Sequence, residues 1–226
     1  MDDNTYKQFC AALSPDVKTR LEHIRSYVNT NRASVMVGAG FSKNAETSDS
    51  AGMKDWNELA KVFYKKLNCE EPGDADPVFV SPMKLASMVE ATFGRKVLDE
   101  LIEDTLSPKD IKSGMLHEML LCVPWHDVFT ANYDTLLESA DAACYYTLVE
   151  NRESLLYSSS PRIIKLHGSF RHAHPYVITD EDYRTYPQRH PEMVNTVRQS
   201  MVENLFCLIG FSGNDPNFGL FRQMDG

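Results

Sequence analysis

Apolar side chains recur along this chain with two different periods. In "PDVKTRLEHIRSYVNTN", Val17, Leu21, Ile24 and Val28 fall at helical spacing behind Pro15, which a first helical turn tolerates; the stretch predicts a helix leading into the core. "SVMVGAGFS" is short, apolar from Val35 to Val37 and cut by glycines, the pattern of a buried strand that turns sharply. Helical spacing returns in "KDWNELAKVFYKKL", in "MKLASMVEATFGRKVLDELIEDTL" with a break at Gly94, and in "MLHEMLLCV". Proline and aspartate in "DADPVFVSP" predict a loop. "WHDVFTANYDTLLESA" predicts a strand, a polar turn and a helix starting near Asp134, and "ACYYTLV", "PRIIKLHG" and "NLFCLIGFSGN" are three more strands. Strands alternating with helices predict an α/β fold, a parallel sheet covered on both faces.

Ligands of open α/β sheets collect outside the carboxyl ends of the strands. Four predicted strands end in "VGAGFS", "FTANYD", "KLHGS" and "IGFSGND". If those strands are sheet neighbours, Gly38 to Ser42, Asn132, Asp134, His167 and Ser212 meet in one crevice. Each motif also has an ordinary reading. "GAG" lets backbone N–H groups approach a pyrophosphate, but it is equally a tight turn, and neither G-x-G-x-x-G nor a phosphate-binding loop is present. Asn132 is equally a helix cap, a lone histidine more often fills space, and "GFSGNDPNF" is equally a turn that opens a helix. Four polar strand ends in order would need four separate coincidences.

Composition narrows the classes. The 226 residues are 42% apolar, enough for one large core, and carry a net charge of −9 with no basic stripe, which argues against nucleic acid as a partner. The five cysteines, Cys10, Cys69, Cys122, Cys144 and Cys207, are odd in number and far apart, so the expectation is reduced, structural thiols, no zinc site and a cytoplasmic location. No run approaches the ~18 apolar residues of a membrane span, and "MDDNTYKQFC" is too polar for a secretory signal.

Taken together, "VGAGFS", "TANYD", "KLHGS" and "IGFSGNDPNF", with "KDWNEL" between the first two, resemble the sirtuin-like domains of bacterial anti-phage defence proteins. The likeness runs from about Ser34 to Phe218. It implies a Rossmann-like sheet over 34–226 with a helical insertion at about 54–121, preceded by helices in 1–33 and followed by a C-terminal regulatory or sensor region beyond this chain. It also implies hydrolysis of NAD+ to nicotinamide and ADP-ribose, a homo-oligomer, a phage-sensing domain or partner, and no metal. Deacylating sirtuins carry two cysteine pairs on zinc and a proline-aspartate-phenylalanine-arginine stretch, both missing here. An NAD-dependent protein deacylase and a non-catalytic NAD or ADP-ribose sensor are the alternatives. Carried over by motif, Asn132 and His167 are the catalytic pair. Gly38, Ala39, Gly40, Phe41 and Ser42 line the NAD+, joined by Gly210 and Ser212, and Asp134 contacts it or supports the loop.

Overall fold

The computed structural model describes residues 8, 10–47, 53–69, 81–107, 110–171 and 175–211. Five strands form its main sheet: β1 (Ala33–Val37), β4 (Asp127–Thr130), β5 (Thr147–Val149), β6 (Arg162–Lys165) and β7 (Leu205–Ile209). The order across the sheet is β5-β6-β4-β1-β7, and every pairing is parallel. The two-residue strands β2 (Glu46–Thr47) and β3 (Ile111–Lys112) pair separately and antiparallel. β1 is buried at all five positions, as a central strand covered on both faces must be. The four strands whose ends looked unusual in sequence are consecutive neighbours, β6-β4-β1-β7.

Three apolar clusters hold the layers together. On one face Val35, Val37, Val128 and Ile163 pack with Leu120, Leu121 and Trp125. On the other, Met36, Phe129 and Ile164 pack with Tyr186, Met193, Val194 and Val197. Side chains alternate between faces along β1, β4 and β6, so one-residue steps separate the two clusters. These covers are α6 (Met115–Leu121) on the first face and α8 (Asp180–Arg189) with α9 (Pro191–Glu203) on the second. A third cluster joins α3 (Trp56–Lys66), α4 (Pro82–Phe93) and α5 (Arg95–Leu106) through Leu59, Phe63, Leu85, Val89, Leu98 and Ile102. Tyr133, Tyr176 and Ile178 belong to this third cluster and tie it to the carboxyl edge of the sheet.

Local chemistry sets the helix ends. Asp55 caps α3, accepting from the N–H of Asn57 at 2.9 Å while its own N–H is taken by Glu58 at 2.8 Å, a reciprocal box. Ser81 caps α4 ahead of Pro82. Gly94 divides α4 from α5 at φ +87° and ψ 161°, a conformation essentially restricted to glycine, where the sequence places the break.

The expected helix from Asp134 does not form. Residues 136–139 make a turn, the Ser139 N–H reaching the Thr135 carbonyl at 3.0 Å, and a 3₁₀ turn follows at Asp141–Tyr145. That turn takes the first half of "ACYYTLV", so only its end is strand; Glu118 of α6 accepts from the N–H groups of Asp141 and Ala142 and pins the tighter geometry. α1 (Pro15–Asn29) is a helix, but none of its residues is buried: Ile24, Tyr27 and Val28 lean on the sheet while Val17 and Leu21 stay exposed. The predicted loop "DADPVFVSP" lies outside the described residues up to Val80. Helices α8 and α9 went unpredicted, although Thr179 with Asp182 and Pro191 with Val194 and Val197 carry capping and periodicity signals.

Candidate active site

The glycine turn after β1 is locked to the end of β7. The N–H of Gly38 donates to the Ile209 carbonyl at 2.8 Å, that of Gly40 to the Gly210 carbonyl at 2.9 Å, and that of Phe41 to the Gly38 carbonyl at 3.0 Å. A Cβ on Gly38 or Gly40 would lie 2.8 Å from the Gly210 carbonyl oxygen, and one on Gly210 would lie 2.5 Å from the Phe41 nitrogen. These three glycines thus let backbone pack on backbone, and three N–H groups of the turn are committed internally. Phe41 faces the core, edge-on to His117 at 4.9 Å between ring centroids. Ala39 and Ser42 face a cavity. Ser212 lies outside the described residues.

The loop after β4 is built on that turn. Thr130 donates its hydroxyl to the Val37 carbonyl at 3.0 Å and accepts from the Asn132 N–H at 3.1 Å, fixing the bend at the strand end. Asp134 accepts from the Leu136 N–H through Oδ1 at 3.1 Å and from the Ser42 hydroxyl through Oδ2 at 2.7 Å. A carboxylate can only accept, so the Ser42 proton points to Asp134 and the Ser42 oxygen accepts from Asn132 Nδ2, at 3.0 Å. The Asn132 amide oxygen is thereby turned away from Ser42 and left as an acceptor, with no hydrogen bond among the described residues. This first cavity holds about 60 Å³ and is walled by Trp56, Tyr133 and Phe170 beside Asn132, Ser42 and Ala39. Its aromatic walls suit a flat ring.

Beneath that loop lies a buried charge pair. Lys165, the last residue of β6 and 1% exposed, donates Nζ to the Asp134 carbonyl and sits 3.1 Å from Glu138 Oε1, itself 4% exposed. The Glu138 oxygens are close to the ammonium but take no aligned hydrogen bond. Burial raises the Glu138 carboxyl pKa above its ordinary value and outweighs the pull of Lys165. The sequence signal for this pair was a lysine inside an apolar strand run.

His167 sits two residues past the end of β6 and is buried. Its carbonyl accepts from the Val177 N–H at 3.0 Å, and its ring stands edge-on to Tyr183 and Tyr186 at 5.3 and 5.1 Å. Among the described residues the ring makes no hydrogen bond. It lines a second cavity of about 490 Å³, together with Glu150, Arg152, Arg189, His190 and Met193. Burial, reinforced by nearby His190 and opposed by Asp182, lowers the imidazole pKa to about 3, so the ring is neutral at physiological pH. Asn132 and His167 therefore stand at adjacent strand ends but open on separate cavities, a division the sequence does not reveal.

The two loops are clamped to each other. Tyr133 donates its hydroxyl to the Val177 carbonyl at 2.7 Å, and Val177 in turn holds His167. Asp182 accepts from the N–H groups of Ile178 and Thr179 and pairs with Arg95 at 2.9 Å. Burial alone would raise the Asp182 pKa, but those N–H groups and Arg95 hold it below the usual value. Among the described residues no group of three histidine, cysteine or acidic side chains is arranged to hold a metal, and no helix is long and apolar enough to cross a membrane.

A SIR2-like domain model matches residues 126–223, a stretch that includes the loops of Asn132 and His167. This stretch is similar to SIR2-like domains. Along nearly the whole chain, the similarity to curated proteins is modest in identity but long. NAD(+) hydrolase ThsA from Acinetobacter baumannii (strain 532279) is 25% identical over 205 residues, covering 88% of this chain and 40% of the relative. NAD(+) hydrolase ThsA from Bacillus cereus (strain MSX-D12) is 24% identical over 212 residues, 91% of this chain and 42% of the relative. Defense-associated sirtuin 2 from Bacillus subtilis is 26% identical over 223 residues, 95% of this chain and 21% of the relative. The chain thus spans well under half the length of these relatives, and it joins the SIR2-like stretch to the glycine turn, Ser42 and the three-helix layer.

Proposed function

We propose that this chain hydrolyses NAD+ at the nicotinamide–ribose bond, giving nicotinamide and ADP-ribose. The observation that carries the reading is the Asn132 amide, fixed by Ser42 and Asp134 with its oxygen free beside an aromatic-walled cavity. Relatives named NAD(+) hydrolase support it. Nicotinamide is a cationic leaving group, so departure needs little acid catalysis and passes through an oxocarbenium-like state. The chain has to orient an incoming water or a ribose hydroxyl and then take a proton. Asn132 does the first by accepting a hydrogen bond. His167, neutral and one strand away, is the group suited to the second.

Within the same proposal, Ala39 and Ser42 contact the nicotinamide end, and Gly38, Gly40, Phe41 and Gly210 shape the floor beneath the dinucleotide. Asp134 acts through Ser42 as a support. The setting is cytoplasmic anti-phage defence by NAD+ depletion, in a homo-oligomer governed by a phage-sensing region or partner.

Release of nicotinamide from NAD+ without any acyl-peptide is the test. Asn132→Ala should lower turnover by about 100- to 10,000-fold with the fold retained. Turnover that requires an acyl-peptide, or near-normal turnover in that folded variant, would overturn the assignment.

A further inference from the structure

Three aromatic side chains wall the first cavity, and the packing behind them fixes their rings. Tyr133 is tied by its hydroxyl to the Val177 carbonyl, the Phe170 N–H donates to the Tyr133 carbonyl at 2.9 Å, and Tyr176 stands against both rings at 4.9 and 5.6 Å between centroids. Trp56 opens α3 directly after its cap, Asp55, and packs half-buried against the same cluster. The charged groups of the lining are two carboxylates, Asp55 and Asp134, against one exposed lysine, Lys54, whose charge water screens. Lys43 answers Asp55 at 3.1 Å, and the buried Lys165 is matched by Glu138. Asp134 accepts from the Ser42 hydroxyl and the Leu136 N–H and has no ion pair among the described residues. Aromatic faces carry negative potential and attract cations, so the walls, the Asp134 carboxylate and the Asn132 amide oxygen all favour a positively charged guest.

We propose that Trp56 is a specificity-determining residue: with Tyr133 and Phe170 it makes the first cavity select its guest by charge, gripping a pyridinium more tightly than a neutral ring of the same shape. When the bond to ribose breaks, the ring nitrogen keeps the bonding pair, the ring becomes neutral and the positive charge passes to the sugar. The grip is therefore strongest on the intact dinucleotide and slackens towards the transition state and on free nicotinamide. Such an interaction lowers KM without raising kcat. It keeps the site filled as NAD+ becomes scarce and lets the product leave. That consequence rests on the proposed hydrolase reading, whereas the preference for a cationic ring does not.

Isothermal titration of the full chain with 1-methylnicotinamide, a cation that has no ribose bond to break, and with neutral nicotinamide in parallel, tests the selection. The cation should bind about 5-fold or more tightly than nicotinamide. Trp56→Leu should bring the two ligands to within about 2-fold of each other, and Trp56→Phe, which keeps an aromatic face, should retain most of the preference. Absence of saturable binding of the cation, equal or tighter binding of nicotinamide, or a preference undiminished in Trp56→Leu would each overturn the proposal. Nicotinamide release on the same proteins adds a readout that a merely structural wall would not give. Trp56→Leu should raise KM for NAD+ about 5-fold or more without lowering kcat, and a fall in kcat at unchanged KM would overturn the assignment of Trp56. A chain that prefers the cation but never releases nicotinamide refutes the hydrolase and leaves the selection standing.

Discussion

Removing Lys165 should separate what the buried charge pair does for stability from what it does for the site. At 3.1 Å and an effective dielectric of about 20, the attraction between Lys165 and Glu138 is about 5 kcal/mol. Burying two charges costs several kcal/mol each, and the raised Glu138 pKa says that burial outweighs the attraction. The pair as a whole is therefore near neutral for stability, yet either half alone is expensive. Lys165→Met strands the Glu138 carboxylate and should cost about 3–5 kcal/mol, lowering the melting temperature by roughly 6–20 °C for a domain of this size. Lys165→Met combined with Glu138→Leu should return to within about 1 kcal/mol of the parent. The double variant still lacks the donor that holds the Asp134 carbonyl, so Asn132 loses its fixed aim. The proposed NAD+ cleavage should then stay roughly 10- to 100-fold down, chiefly in kcat. Thermal melts and nicotinamide release on the three proteins are the assay. A double variant as unstable as Lys165→Met, or one with parental turnover, would refute the reasoning.

Gly210→Ala should destabilise by well over the ~1–3 kcal/mol of its positive φ, because the new Cβ meets backbone at 2.5 Å; Gly94→Ala, also at positive φ but in open space, pays the conformational cost alone, and denaturant midpoints compare them. Stability should fall on acidification through His167. Its folded pKa of about 3 lies below the 6.5 of an unfolded histidine, so its contribution is full above 6.5 and is lost as pH drops from there towards 3. His167→Phe should flatten that part of the pH profile in urea melts, and an unchanged slope would show that the ring is not buried neutral. Arg95→Met should cost about 3–5 kcal/mol by stranding Asp182, and hydrogen exchange should localise the loosening to Ile178 and Thr179.

What the sequence disclosed was what depends on short-range pattern. Val35–Val37 and the "RIIK" run announce buried strands, and Gly94 announces a break, because burial and backbone freedom are properties of single positions. Neighbourhood in the sheet followed from the polar strand ends taken as a set. The turn at Asp134 was misjudged because Asp134 spends its oxygens on Ser42 and Leu136, so a residue with good capping chemistry is diverted by a partner far away in sequence. The partition between Asn132 and His167 is equally non-local. It depends on Tyr183 and Tyr186 of a helix whose own signals, Thr179 with Asp182, are weak against a polar background.

The order of strands across the sheet also sets when a newly made chain can complete its candidate site. The glycine turn after β1 is completed by the end of β7, the last of the five strands to be synthesised, through the bonds from Gly38 and Gly40. At roughly 5–20 residues per second, translation reaches β7 on the order of ten seconds or more after β1. A ribosome-bound intermediate carrying Asn132 and His167 therefore lacks the backbone of β7 that holds the turn of Ser42, so under the proposed hydrolase reading a nascent chain cannot cleave NAD+ until β7 has been made.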